Sequence, residues 1–165
     1  QIRFATAPCY LGWALVAATQ RGICAISFAD TPIELERSLR TRFPEAVLIT
    51  DDPGVSDWLS AVLAYLDVPR GALDLPLDIQ GTAFQRRVWM ALQEIPAGST
   101  ASYSEVSSRL GKPNAARAVA GACASNTLAV AIPCHRIVRS DGSPGGYRWG
   151  LERKRRLLAR EAHKQ

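Results

Sequence analysis

Residues 102–124 read SYSEVSSRLGKPNAARAVAGACA, and the punctuation of that stretch decides the fold. Ser102 with Glu105 makes a capping box, in which each side chain satisfies a backbone N–H left over at a helix start, so a helix opens there. Gly111 ends it, and Lys112-Pro113-Asn114 turns the chain into a second helix from Ala115 to about Ala124. Two short helices joined by a glycine-containing turn predict a helix-turn-helix. The second helix offers one long polar side chain, Arg117, among small neighbours such as Ala116 and Ala118. A helix that reads bases presents Arg, Asn or Gln to their edges, so this surface can lie close to a nucleic acid with little means of telling sequences apart. Alanines packed on neighbouring helices, with Arg117 an ordinary surface charge, fit the same pattern.

Upstream, Thr82 with Gln85 repeats the capping box and opens another short helix. Before it, residues 67–80 carry Pro69, Gly71 and Pro76 and read as an extended linker, which places a domain boundary near residue 78. The N-terminal half begins with three β-rich runs, 2–8, 11–19 and 22–29, separated at Pro8 and Arg21-Gly22, which predict an antiparallel meander. Thr31-Pro32-Ile33-Glu34 starts a helix to about Phe43, and Asp52-Pro53 starts one with Val55, Leu59, Val62, Leu63 and Leu66 at helical spacing. A final helix is expected over Leu151 to Ala162. The class is α+β, in two parts, 1–78 and 79–165.

The net charge of +5 is unevenly spread. Residues 1–80 hold 6 Arg and no Lys against 10 acidic residues, whereas 81–165 hold 14 basic residues against 5 acidic ones. A net of +9 in one half is the footprint of a polyanion-binding surface, with nucleic acid the commonest partner, or of a solvated basic face. The longest apolar runs, such as Leu128 to Ile132, fall far below the roughly 20 residues of a membrane span, which argues against a membrane protein. Four cysteines, Cys9, Cys24, Cys123 and Cys134, form no CxxC pair. A zinc site is not expected, and free thiols in the cytoplasm or nucleoid are. A chain that starts at Gln1 in place of Met is expected to be a processed form or a fragment.

Ile132-Pro133-Cys134-His135-Arg136-Ile137-Val138 is the stretch with the most specific chemistry. A thiol becomes a strong nucleophile on losing its proton, which a nearby imidazole can accept. In an extended segment Cys134 and His135 point to opposite sides, so a water is needed to link them. The imidazole needs an acceptor of its own, and acidic residues are scarce in this half; Glu161 is the candidate.

Pro133-Cys134-His135-Arg136, with Gly81-Thr82-Ala83-Phe84-Gln85, Gly146-Tyr147-Arg148-Trp149-Gly150, and Arg153-Lys154 through Leu157-Leu158-Ala159-Arg160-Glu161, resembles the O6-alkylguanine-DNA alkyltransferases. The resemblance is strongest over residues 79–165. It implies that Cys134 is the alkyl acceptor, with His135 and Glu161 as a water-linked proton relay. It implies that Asn126 braces the turn and that Tyr103 donates toward N3 of the guanine and repositions a phosphate. Arg117 would fill the gap left by an extruded nucleotide, flanked on the DNA by Ala116 and Ala118. The pocket would comprise Tyr147, the Arg148 amide as donor to O6, and the carbonyls of Cys134 and Ile137. Trp149, where many members of the family carry glycine, is expected to narrow the space for the alkyl group; packing outside the pocket as a hydrophobic plug fits the same residue. The resemblance further implies a ribonuclease H-like N-terminal subdomain, a helix-turn-helix (winged-helix-like) that enters the minor groove of double-stranded DNA with little sequence preference, a monomer, no cofactor and no metal. The expected reaction is irreversible transfer from O6-alkylguanine, with O4-alkylthymine as a further substrate.

Two other classes are compatible with the residues alone. A thiol hydrolase using Cys134 and His135 would turn over repeatedly, and a DNA-binding regulator would leave its cysteine unreacted. Only an alkyltransferase leaves a labelled alkyl group on the protein.

Overall fold

The computed structural model describes residues 1–162; residues 163–165, the end of the expected C-terminal part, lie outside the described residues. The fold is mixed α+β, with a small, mainly antiparallel sheet and a helical C-terminal region. Two compact units divide it. The first comprises residues 1–68, 72–79 and 127–129, and the second residues 69–71, 80–126 and 130–165.

In the first unit the expected meander is β1 (Ile2–Cys9), β2 (Gly12–Ala18) and β3 (Ile23–Ala29), paired antiparallel in succession. A short strand not expected from the sequence, β4 (Leu48–Ile49), adds to β1 in parallel and completes the order β3-β2-β1-β4. Helix α1 (Pro32–Arg42) starts where Thr31 Oγ1 accepts the Glu34 N–H at 3.3 Å, and α2 (Pro53–Asp67) follows Asp52. Ile2, Phe4 and Leu15 of the sheet pack with Leu35 and Leu39 of α1 in one apolar cluster. On the far side of β3, Thr127–Ala129 bonds to the strand through Ile26 N to Thr127 O (3.0 Å) and Ala129 N to Ile26 O (3.0 Å).

In the second unit both capping boxes form as the sequence requires: Thr82 opens α3 (Ala83–Gln93) and Ser102 opens α4 (Tyr103–Arg109). Each closes reciprocally, with Gln85 and Glu105 accepting the cap N–H at 2.9 Å in both cases. Gly111, at φ +73, reverses the chain toward α5 (Ala116–Ala124), a conformation costly for any residue with a Cβ. Trp89 ties α3 to α5 by donating its indole N–H to Ala122 O at 2.9 Å. Residues Ala101–Ser102 (β5) pair in parallel with Ile137–Val138 (β6), and α6 (Leu151–Ala162) ends the described chain.

Candidate active site

Cys134 opens a single 3-10 turn, Cys134–Arg136, that runs directly into β6. The expected extended segment is therefore corrected. Cys134 N donates to Ile132 O at 2.8 Å and Arg136 N to Pro133 O at 3.0 Å, so the main chain curls instead of alternating its side chains. Asn126, fully buried, pins the curl: its Nδ2 donates to Ile132 O at 2.9 Å and reaches Cys134 Sγ at 3.2 Å. Beyond the thiol the turn aims His135 and Arg136 at one carboxylate on α6. Glu161 accepts from His135 Nε2 at 2.7 Å, Arg136 Nε at 3.0 Å and Arg136 Nη2 at 2.9 Å. Arg136 Nη1 donates to Ile95 O at 2.7 Å, which satisfies another edge of a guanidinium only 4% exposed.

Burial sets the protonation states. It pushes the Cys134 thiol up, against the opposing effects of the Asn126 amide, Lys154 and Arg148, so the resting sulfur carries its proton. Burial likewise pulls the His135 imidazole down, outweighing the Glu161 carboxylate that favours its charged form. His135 is neutral at pH 7. Because Nε2 lies against a carboxylate, we assign its single proton there, which leaves Nδ1 as a proton acceptor. That atom is buried and has no hydrogen-bond partner among the described residues. For Glu161, burial raises the pKa, but the hydrogen bonds from His135 and Arg136 prevail and hold it at about 2.

The thiol faces a cavity of about 310 Å3. Tyr103 from the start of α4, Ala120, Cys123 and Ala124 from α5, and Gly146, Tyr147 and Arg148 from the loop before α6 line it together with Cys134. Burial, aided by the two cysteines, raises the Tyr103 pKa and keeps its hydroxyl a donor. Gly145, at φ +73, lets the loop pass close: a Cβ there would sit 2.9 Å from Tyr103 Oη. On α5, helical spacing puts Arg117, Ala120 and Ala124 on one face, so the exposed arginine shares a face with the cavity wall. Ala118 is exposed beside it and Ala116 half-buried.

Two expected pocket residues lie elsewhere. Trp149 is buried and does not line the cavity; its ring stands edge-on behind Tyr147, centroids 5.3 Å apart at 66°. The bond from Gly150 N to Tyr147 O turns the chain there, and the indole supports the pocket wall without narrowing the space. Ile137 is also buried and outside the lining, and its carbonyl accepts from Lys154 Nζ at 2.7 Å.

Lys154 and Arg136 were not expected to matter. Lys154 is fully buried, and its ammonium also reaches the carbonyls of Pro144 and Gly146, holding the 144–146 segment to β6. A signal existed: Lys154, Leu157 and Glu161 recur at helical spacing, a stripe that includes a buried leucine. Among the described residues no group of three or more His, Cys, Asp or Glu is placed to hold a metal, and no helix is long and apolar enough to cross a membrane.

Residues 83–163 match the family model described as "6-O-methylguanine DNA methyltransferase, DNA binding domain". The chain is 39% identical over 144 residues to the inducible methylated-DNA--protein-cysteine methyltransferase of Bacillus subtilis, covering 87% of this chain and 80% of that protein. The chain belongs to the O6-methylguanine DNA methyltransferase family. Within the family it is 49% identical over 164 residues to the bifunctional transcriptional activator/DNA repair enzyme Ada of Escherichia coli. That match takes in 99% of this chain and 46% of Ada, so the chain spans about half the length of this relative. Among solved structures, the Mycobacterium tuberculosis OGT in complex with DNA superposes at a TM-score of 0.79, with 33% identity over 98% of this chain and 92% of that one.

Proposed function

We propose that this chain repairs DNA by direct reversal, moving the alkyl group of O6-alkylguanine in double-stranded DNA irreversibly to Cys134 Sγ. One observation carries the reading: a buried thiol lines a cavity while the neighbouring imidazole is locked to a carboxylate with its second nitrogen free to accept a proton. The thiol proton passes through a bridging water to His135 Nδ1. The sulfur then attacks the alkyl carbon, the bond from that carbon to O6 breaks, and the guanine leaves as an anion. Tyr103 donates toward N3 and the Arg148 amide toward O6, where charge develops, and such donors lower a barrier most in a dry site. Asn126 positions the sulfur, and the imidazolium formed at His135 is stabilised by Glu161. The product is a thioether that water does not cleave, so each molecule reacts once.

The target base is inaccessible in the duplex and must be extruded, at a cost of a few kcal/mol. Arg117 on α5 enters the minor groove and fills the vacancy, with Ala116 and Ala118 permitting close approach and reading no sequence. Tyr147 walls the pocket, and Trp149 backs that wall. In this reading residues 79–165 form the alkyltransferase and DNA-binding domain and residues 1–78 a ribonuclease H-like support. The protein acts as a monomer in the cytoplasm, at the nucleoid, and O4-alkylthymine presents the same alkyl–oxygen bond as a second substrate.

The test is an oligonucleotide duplex bearing O6-methylguanine with a radiolabelled methyl group. One equivalent of label per molecule should appear on Cys134, and Cys134→Ala should accept none while still binding the duplex. Release of label in repeated turnovers, or label on another residue, overturns the proposal.

A further inference from the structure

Helix α5 bears both the exposed Arg117 and three residues of the cavity wall, yet its own N-terminus is poorly capped. Ala115 occupies the cap position with φ −105 and ψ 23 and has no side chain to offer, although the first N–H groups of a helix lack intrahelical partners. The partner comes from the preceding helix. Ser107, completely buried on α4, accepts the Ala115 N–H on its hydroxyl at 3.0 Å. The same hydroxyl donates to Lys112 O, and the Ser107 carbonyl accepts the Lys112 N–H at 3.0 Å. Lys112 O in turn accepts from Ala115 N at 3.1 Å. One serine thus grips both ends of the four-residue step from Lys112 to Ala115, just after the left-handed Gly111.

We propose that Ser107 is a positioning residue for nucleotide extrusion, acting as a remote N-cap that fixes where α5 begins and hence where Arg117 stands. The proposal rests on the alkyl-transfer reading given above. A hydroxyl on α4 couples the two helices more tightly than a cap on α5 itself would, because it fixes the start of one helix relative to a side chain of the other. Losing it leaves the Ala115 amide with its 3.1 Å bond to Lys112 O alone, releases the Lys112 carbonyl from the hydroxyl, and lets the first turn of α5 shift or fray. The far end of α5 stays held by Trp89 on Ala122 O, so the cavity and its thiol are less affected.

The test compares the unaltered chain with Ser107→Ala in three measurements. Hydrogen exchange at the Ala115 amide should speed up about fivefold, the size of an ordinary N-cap loss. Methyl transfer from duplex O6-methylguanine should slow about fivefold at subsaturating DNA, while transfer from the free base O6-methylguanine stays within twofold. A serine that only stabilises the fold would move both rates together or neither. Unchanged exchange at Ala115, or equal slowing with duplex and free base, overturns the positioning role. Absence of transfer by the unaltered chain instead overturns the functional reading, and exchange at Ala115 still decides whether Ser107 caps the helix. Should Ser107→Ala fail to fold, Ser107→Gly and Ser107→Cys at low temperature give the same comparison, and failure of all three to fold refutes a role confined to α5.

Discussion

Glu161→Gln removes one negative charge and leaves the shape of the site almost unchanged. In the folded protein that carboxylate is 3% exposed and takes hydrogen bonds from His135 and Arg136, and its pKa lies at about 2 against an ordinary 4.5. At about 1.4 kcal/mol per tenfold change in proton affinity, the difference amounts to about 3 kcal/mol of folding stability. The sign follows from a depressed value: the stabilisation is complete above pH 4.5 and is lost as the pH falls through 4.5 toward 2. Glutamine cannot hold the charge, and it leaves the buried Arg136 guanidinium without its counterion. Urea unfolding between pH 2 and pH 7 is the assay. The unaltered protein should lose about 3 kcal/mol more than Glu161→Gln between pH 5 and pH 2, and at pH 7 the variant should be less stable by a similar amount. Identical pH dependence of the two proteins would refute the ion-pair argument. In the same preparations, methyl transfer at pH 7 should slow about a hundredfold, the lower end of what a positioned acid–base group contributes.

Arg117→Ala should slow transfer from duplex DNA at least tenfold and leave attack on the free modified base nearly unchanged, since only the duplex needs extrusion; parallel rate measurements on the two substrates decide this. Asn126→Leu keeps the volume but removes the donor to Ile132 O and Cys134 Sγ, so it should cost about 2 kcal/mol in urea unfolding and slow transfer as well. Trp149→Gly should not widen the pocket for a benzyl group, because the indole lies behind Tyr147; it should slow methyl and benzyl transfer alike as that wall loosens, and faster benzyl transfer in the variant would return Trp149 to the pocket.

Local chemistry was the legible part of the sequence. The caps at Thr31, Thr82 and Ser102 act over three residues, so the residues that form them are adjacent in print as well as in space. The meander was readable for the same reason. Strands of two residues were not: Leu48–Ile49 pairs with Ile2–Arg3 and Ala101–Ser102 with Ile137–Val138, and none has an internal period to betray it. The turn at Cys134 eluded a strand-like reading because its shape depends on an amide eight residues upstream. Cys134 and Glu161 are legible in the residues and Asn126 only through the family resemblance, whereas the second hold on Glu161 by Arg136 is not legible, and neither is Lys154. A lysine in a helix as charged as α6 reads as solvent-facing, and only the stripe it shares with Leu157 and Glu161 marks it as inward.

Thr127 to Ala129 belong to the first unit although Asn126 before them and Val130 after them belong to the second. The polypeptide makes a stitch: it leaves the unit that houses the thiol, bonds along β3, and returns through Val130, a β-branched residue held at φ +61. Cleavage at residue 78 would therefore not separate the halves cleanly. A fragment starting at residue 79 would carry Thr127 to Ala129 with their strand partners deleted, directly after the brace Asn126 and five residues before the nucleophile Cys134. For anyone designing a minimal repair module, the piece to preserve is the whole circuit from β3 to Cys134, and a split version should supply β3 in trans.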